Sequence, residues 1–247
     1  IRLITSFTNI EKSIALHWLG EDKISPNSIK DIFDDLYNYI TLKNDTIINS
    51  NVQWVKEYFD SYRKSKISNK IDDYLHSSIN TLNANNISFN NWYQSFKTVK
   101  TILNNRTDID VFYWIDGLGV EWIPFISHLI SQEQGMYLNE VHIARSMFPT
   151  KTSVNKPILE DLSKEKIKKI GDIDAHAHSH SNKYPTYIIE EFQLIKESIL
   201  KIINEYSGKK IAIISDHGLT AMSQYCDGLN LVGFKSDHGG RVATKES

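Results

Sequence analysis

The segment 211–218, which reads IAIISDHG, constrains the fold more than any other part of the chain. Four consecutive apolar residues that lead directly into polar residues and a glycine are typical of a strand buried on both faces of a parallel sheet. Such sheets bind ligands at the carboxyl ends of their strands, where Asp216 and His217 lie. A carboxylate beside an imidazole suits Zn²⁺ or Mn²⁺, although a capped turn after a core strand would give the same pattern.

From about residue 106 onward, strand patterns alternate with helix patterns. The run VFYWI at 111–115 predicts a second strand, which ends at Asp116 and Gly117. We also predict a helix at 119 to about 131, a strand at 141–144 and a long amphipathic helix at 186 to about 206. A short polar segment from about 162 to 169 is ambiguous. The alternation predicts an α/β domain over residues 106–247, with a mostly parallel sheet flanked by helices.

Residues 1–105 show a different pattern, because apolar residues recur there at helical spacing and glycine and proline are almost absent. Thr8 and Glu11 match a capping box, and Gly20 lies where a helix starting there would end. We predict an all-α domain of about five helices, packed as a bundle or an array. It carries no chemistry-bearing cluster, so both partner binding and simple support stay open for it.

The composition bounds the class of protein. Apolar residues make up 40% of the chain and the net charge is -2, which argues against disorder and gives no general attraction to nucleic acid or anionic lipid. No run could span a bilayer and no signal peptide is visible, so we expect no membrane association. The single cysteine, Cys226, fits a reducing, cytoplasmic compartment. Because the chain begins with Ile1 and stops soon after His238, we expect a segment of a longer protein, truncated at the C-terminus.

Candidate metal ligands lie at or near the predicted strand ends, and five of the nine histidines fall between 176 and 238. A doubly wound sheet brings strand ends together along one edge, so residues distant in sequence can share one site. The candidate ligands are Asp116, Asp174, His178, Asp216, His217 and His238.

Two sets of such ligands could hold two divalent ions, which together clamp the attacking and leaving oxygens of a phosphoryl transfer. That reaction also needs a nucleophile, and Thr150, Thr152 and Ser153 are the candidate hydroxyls. Lys151 and Arg145 are candidates for binding the phosphate of the substrate.

Four motifs occur in a characteristic order: DGL at 116–118, PTKT at 149–152, SDHG at 215–218 and HGG at 238–240. Together they resemble the alkaline phosphatase superfamily, most closely its PglZ branch, which is known from bacterial phage-exclusion systems. Nucleotide pyrophosphatase/phosphodiesterases carry a similar PTKT and SDHG. The resemblance covers about residues 110 to 240 and implies an alkaline-phosphatase-like fold there.

The resemblance also implies roles for matching positions. One metal ion would be held by Asp116, Asp216 and His217, with Thr152 beside it as the nucleophile. The second ion would be held by Asp174, His178 and His238. The superfamily uses Zn²⁺ most often, with Mn²⁺ or Mg²⁺ in some branches.

Two assignments within this set stay open. Asp172 and His176 have the same spacing as Asp174 and His178, and Ala177 replaces the glycine that usually precedes the ligand histidine. Thr150 is the alternative nucleophile.

The resemblance implies a metal-dependent phosphohydrolase that acts on a phosphodiester, such as a nucleotide or nucleic acid, in defence against phage. A phosphothreonine would be the intermediate, and other proteins of a phage-defence system are possible partners. One rival is a different metallohydrolase, suggested by the His-x-His at 176–178, although no Asp-His follows it at the metallo-β-lactamase spacing. A second rival is a non-enzymatic, metal-binding scaffold within a defence complex.

Overall fold

The computed structural model describes residues 4–42, 52–84, 89–160, 167–178, 183–219, 221, 232–237 and 242–245. Within these ranges six helices precede the first strand: α1 (Asn9–Gly20), α2 (Asp34–Thr41), α3 (Val52–Ser68), α4 (Asp73–Ala84), α5 (Phe89–Gln94) and α6 (Val99–Leu103). Four more helices follow that strand: α7 (Ile123–Gln132), α8 (Thr152–Glu160), α9 (Ile173–His178) and α10 (Thr186–Glu205).

Three parallel strands form the sheet: β1 (Val111–Asp116), β2 (Ile167–Asp172) and β3 (Ile211–Ile214), in the order β2-β1-β3. β4 (Phe234–Asp237) and β5 (Val242–Lys245) form a separate antiparallel pair. In the sheet, Val111 lies opposite Ile211 and Trp114 opposite Ile214, so β1 and β3 end at the same edge. The predicted α/β class is therefore confirmed, as is the predicted parallel arrangement of these two strands.

All six residues of the central strand β1 are buried, because helices cover both faces of the sheet. Successive side chains alternate between the faces. Tyr113 and Ile115 pack into the main core, whereas Phe112 and Trp114 pack into a smaller cluster with Leu159 of α8. This strand is thus fixed from both sides.

The main core extends across the boundary predicted at residue 105. It joins Leu16 of α1 and Leu36 of α2 to Tyr113 of β1 and to Phe192 of α10. The rings of Phe33 and Phe192 meet at a centroid separation of 5.5 Å, nearly edge to face. The helices of the first part therefore share a core with the part of the chain that carries the candidate ligands.

Several local predictions are confirmed. Thr8 and Glu11 form the predicted capping box, in which each side chain bonds the backbone N–H of the other residue, and α1 ends at Gly20. The long helix predicted from 186 is α10. The helix predicted from 119 begins as a 3₁₀ turn, Val120–Trp122, and continues as α7. No helix in the described ranges combines the length and apolar character that a membrane crossing requires.

The predicted strand at 141–144 is wrong. Among the described residues this segment joins neither sheet, and the neighbouring Arg145 forms an isolated bridge with Thr98. Ile143 packs in a small cluster with Val55 and Phe96, away from the sheet. β1 has β3 on one side and β2 on the other, and the first residues of β2 fall in the ambiguous polar segment.

Candidate metal centre

The shared edge of the sheet brings three predicted ligands together. Asp116 ends β1, and Asp216 and His217 follow β3, so the parallel register places them side by side. One ligand atom from each residue lies within 4.8 Å of the other two. The three residues are 4%, 2% and 4% exposed. These three residues could hold a metal ion, and for that reason we call them, with Thr152, the metal centre.

The distances fit a tetrahedral ion. Nε2 of His217 lies 3.6 Å from Oδ1 of Asp116 and 3.5 Å from Oδ2 of Asp216. Ligand atoms at about 2.1 Å from a tetrahedral Zn²⁺ would be about 3.4 Å apart. The hydroxyl of Thr152, the first residue of α8, lies 3.2 Å from Oδ1 of Asp116 and 3.0 Å from Nε2 of His217. Its oxygen therefore lies where a fourth ligand or a nucleophile would be.

Neighbouring groups orient these ligand atoms. Nε1 of Trp114 donates a hydrogen bond of 3.1 Å to Oδ1 of Asp216, whereas the buried Oδ2 of the same carboxylate has no hydrogen-bond partner among the described residues. Nδ1 of His217 lies 3.2 Å from the carbonyl oxygen of Gly218, a contact that leaves the lone pair of Nε2 directed at the centre. Such supporting bonds are typical of residues that ligate metals.

The centre holds an excess of negative charge. Burial raises the pKa of Asp216, and the nearby carboxylate of Asp116 raises it further, whereas His217 and the hydrogen bond from Trp114 oppose the rise. Two buried carboxylates without a full set of cations favour the binding of a proton or a metal ion. The donor set of two carboxylates and one imidazole suits Zn²⁺ or Mn²⁺.

Sequence reasoning missed one residue of the site, Lys169 of β2. Its ammonium lies 2.8 Å from Oδ2 of Asp116, and its side chain is 43% exposed. Lys169 lies opposite Trp114 in the β1–β2 register. Only the identification of β2 as a strand would have revealed it, because the register of the sheet brings it to the site.

The predicted second set of ligands is described in part. Gly117 has a φ of 78°, and a Cβ there would lie 3.1 Å from the backbone nitrogen of Asp174, so α9 begins directly against the loop after β1. Asp174 and His178 are four residues apart in α9 and so lie on one face. The side chain of His178 and all of His238 lie outside the described residues, and the second ion stays a prediction.

The alternative ligand His176 faces α10. Its Nε2 lies 3.4 Å from the carbonyl oxygen of Tyr187 and 3.5 Å from a carboxylate oxygen of Glu190. The side chain of Asp172, its predicted partner, lies outside the described part of the chain.

The predicted phosphate-binding residues differ in position. Nε of Arg145 donates to the carbonyl oxygen of Phe96 at 3.0 Å, so this guanidinium holds the backbone before α6. Lys151 is half-buried and directly precedes α8. Of the two candidate threonines, Thr152 contacts the ligands, whereas Thr150 lines a neighbouring cavity.

That cavity has a volume of about 870 Å³ and adjoins the metal centre. Asp216 and His217 form part of its wall, and Tyr58, Phe59 and Tyr93 from the helical part form another. Tyr93 also stacks on Phe148, just before the PTKT motif, with a centroid separation of 4.6 Å.

The helical part also holds the segment that follows His217. The hydroxyl of Tyr62 in α3 donates to the carbonyl oxygen of Leu219 at 2.9 Å and accepts from the N–H of Ala221 at 2.8 Å. On the same segment, Gly218 approaches Gly119 so closely that a Cβ there would lie 3.1 Å from the Cα of Gly119. The two loops touch through their backbones, so a larger residue at 218 would push them apart by a few tenths of an ångström.

Comparisons of the chain with protein-family models, with curated proteins and with solved structures found no match. The resemblance to the alkaline phosphatase superfamily therefore rests on the four sequence motifs alone.

Proposed function

We propose that the chain is a metal-dependent phosphoric ester hydrolase with an alkaline-phosphatase-like, PglZ-type α/β fold. One observation carries the proposal: the Thr152 hydroxyl lies 3.0 and 3.2 Å from atoms of two residues of a buried Asp-Asp-His set. A hydroxyl in that position can be activated as a nucleophile by a metal ion. Thr152 also begins α8, and the N-terminus of a helix favours the negative charge of a phosphate.

Two divalent ions, with Zn²⁺ as the first choice and Mn²⁺ or Mg²⁺ as alternatives, would stabilise negative charge on the phosphoryl oxygens. Asp116, Asp216 and His217 would hold one ion. Asp174, His178 and His238 would hold the other.

The chain's own residues account for the first half of the reaction. Oγ1 of Thr152 attacks phosphorus in line with the leaving oxygen, and its proton passes to solvent water, because Oδ1 of Asp116, to which the hydroxyl donates, would be bound to the ion. The bond between phosphorus and the leaving oxygen breaks, and the leaving group departs as an alcohol after it takes a proton from solvent. Water then hydrolyses the phosphothreonine diester, which releases a phosphate monoester and restores the hydroxyl.

The substrate that we propose is a phosphodiester of a nucleotide or nucleic acid, in a phage-defence setting with other defence proteins as partners. The cavity beside the centre supports this choice, because aromatic side chains such as Tyr58 and Tyr93 can stack on bases. The net charge of -2 supplies no general attraction to DNA, so binding would depend on local contacts.

The test compares Thr152→Ala with the matched control Thr150→Ala. We expect the metal-loaded wild-type chain to hydrolyse bis(4-nitrophenyl) phosphate and to stop when a chelator is added. Thr152→Ala should lower the rate by at least about 10³-fold, since it removes the nucleophile. Thr150→Ala should remain close to wild type, and elemental analysis should find equal metal in all three proteins.

Two other outcomes of this test would contradict the proposal. Normal turnover in Thr152→Ala with an inactive Thr150→Ala would move the nucleophile to Thr150. Metal binding without hydrolysis of any phosphodiester would favour a metal-binding scaffold instead.

A further inference from the structure

The two oxygens of Asp116 face different partners. Oδ1 lies toward the hydroxyl of Thr152 and the imidazole of His217, whereas Oδ2 lies 2.8 Å from the ammonium of Lys169. Asp116 thus lies between the proposed ion position and a fixed protein cation. The carboxylate is 5% exposed and the lysine 43% exposed, so the ammonium lies between the buried ligands and solvent.

Trp114 holds Lys169 in this position. The ammonium lies 5.0 Å from the centre of the indole ring, a cation–π distance, while Nε1 of the same indole donates to Asp216. One tryptophan therefore sets the lysine and a ligand carboxylate relative to each other.

We propose, on the basis of the proposed function, that Lys169 contacts the substrate and binds a non-bridging oxygen of the phosphoryl group during attack by Thr152. An ammonium has three donors, so Lys169 can donate to Asp116 and to a phosphoryl oxygen at the same time. Arg145, one of the two residues predicted to bind phosphate, instead donates to the carbonyl oxygen of Phe96.

This role predicts a specific loss on substitution. Lys169→Met keeps the length of the side chain and removes the charge, so it deletes a charge-assisted hydrogen bond to the anion. The affinity for inorganic phosphate should fall about tenfold to hundredfold, the usual range for a hydrogen bond to a charged group. Lys169→Arg should retain most of the affinity, because a guanidinium also donates to phosphate.

The matched control is Lys168→Met. Lys168 precedes Lys169 in β2, is exposed, and lies on the opposite face of the sheet because strand side chains alternate. It removes the same charge from the same strand, and phosphate affinity should be unchanged.

The experiment loads each full chain with stoichiometric Zn²⁺, counts bound metal by elemental analysis and measures inorganic phosphate binding by isothermal titration calorimetry. Equal metal content with weaker phosphate binding only in Lys169→Met supports the proposal. Wild-type phosphate affinity in Lys169→Met overturns it and leaves the proposed function intact. Loss of metal in that variant also overturns it, because Lys169 would then only position Asp116. A wild-type chain that binds no metal would overturn the proposed function together with this inference.

Discussion

Two buried clusters of charged residues differ in how their negative charge is balanced. One is the metal centre. The other, which we call the lysine cluster, consists of Lys66 of α3, Glu121 of the 3₁₀ turn and Glu191 of α10, which are 1%, 2% and 4% exposed. Each cluster contains two carboxylates that are almost out of contact with water.

The difference lies in the source of positive charge. In the lysine cluster, Nζ of Lys66 lies 2.5 Å from Glu191, 4.0 Å from Glu121 and 4.5 Å from the centre of the Trp122 ring. In the metal centre, Lys169 pairs with Asp116, while Asp216 faces only the imidazole of His217 among the described ion pairs. Buried carboxylates that carry their own cation hold elements together, and those that lack one are suited to an ion from outside.

The largest expected effect comes from breaking the lysine cluster. Lys66→Met should lower the free energy of unfolding by about 3–5 kcal/mol, because it leaves two buried carboxylates without their cation. Urea denaturation followed by circular dichroism measures the change. Lys64→Met, an exposed position on the same helix, is the control and should change little. Similar stability in the two variants would mean that the lysine cluster does not join α3 to α10.

A smaller effect is expected at the metal centre. At a Zn²⁺ concentration about 100 times the dissociation constant, the wild-type chain should gain about 2.7 kcal/mol in the free energy of unfolding. Asp216→Asn should lose that gain, because it removes a ligand, and should be more stable than wild type without metal, because an amide carries no charge to bury.

Thermal unfolding with zinc and with a chelator measures both parts of this prediction. Asp73→Asn, which neutralises an exposed carboxylate at the start of α4, should keep the full zinc response. A zinc response that survives in Asp216→Asn would remove Asp216 from the ligand set.

The smallest effect concerns pH. Burial raises the pKa of Glu121, and Lys66 only partly offsets the rise. The folded state therefore binds this proton more tightly than the unfolded state, whose ordinary value is 4.5. The contribution of Glu121 to the free energy of unfolding is most favourable below pH 4.5. It is lost as the pH rises through the pKa that Glu121 has in the folded state.

Glu121→Gln should therefore be more stable than wild type by about 0.5–2 kcal/mol at pH 7, with the gap closing in acid. Urea titrations at several pH values measure the gap. A variant less stable than wild type at pH 7 would show that Lys66 compensates both carboxylates fully.

The sequence predicted those elements whose local pattern matches their environment. The apolar runs of β1 and β3 are both strands, of which β1 is buried throughout and β3 is mostly half-buried, and the amphipathic stripe of α10 faces the main core. β2 was not identified because an edge strand with exposed lysines at 168 and 169 lacks an apolar run. The composition of the run at 141–144 favours a strand. Composition alone, however, cannot show whether another strand is placed to pair with its backbone.

Part of the candidate site was also open to prediction. Asp116, Asp216 and His217 each follow an apolar run, so a rule about strand ends suffices to bring them together. Lys169 depends on the register between β1 and β2, which no local pattern reveals. The lysine cluster was missed for a similar reason, since charged residues on helices usually face water and only tertiary packing buries these.

The two hydrogen bonds of Tyr62 have a consequence for how the chain can be divided. This tyrosine belongs to α3, yet its hydroxyl bonds the carbonyl oxygen of Leu219 and the N–H of Ala221, just after the candidate ligand His217. A gene fragment that encodes only residues 106–247 would contain the segment after His217 without Tyr62, whose hydroxyl bonds that segment. The helices are therefore no exchangeable module, and recombination that joins this sheet to a foreign helical segment must supply an equivalent hydroxyl or lose the shape of the loop.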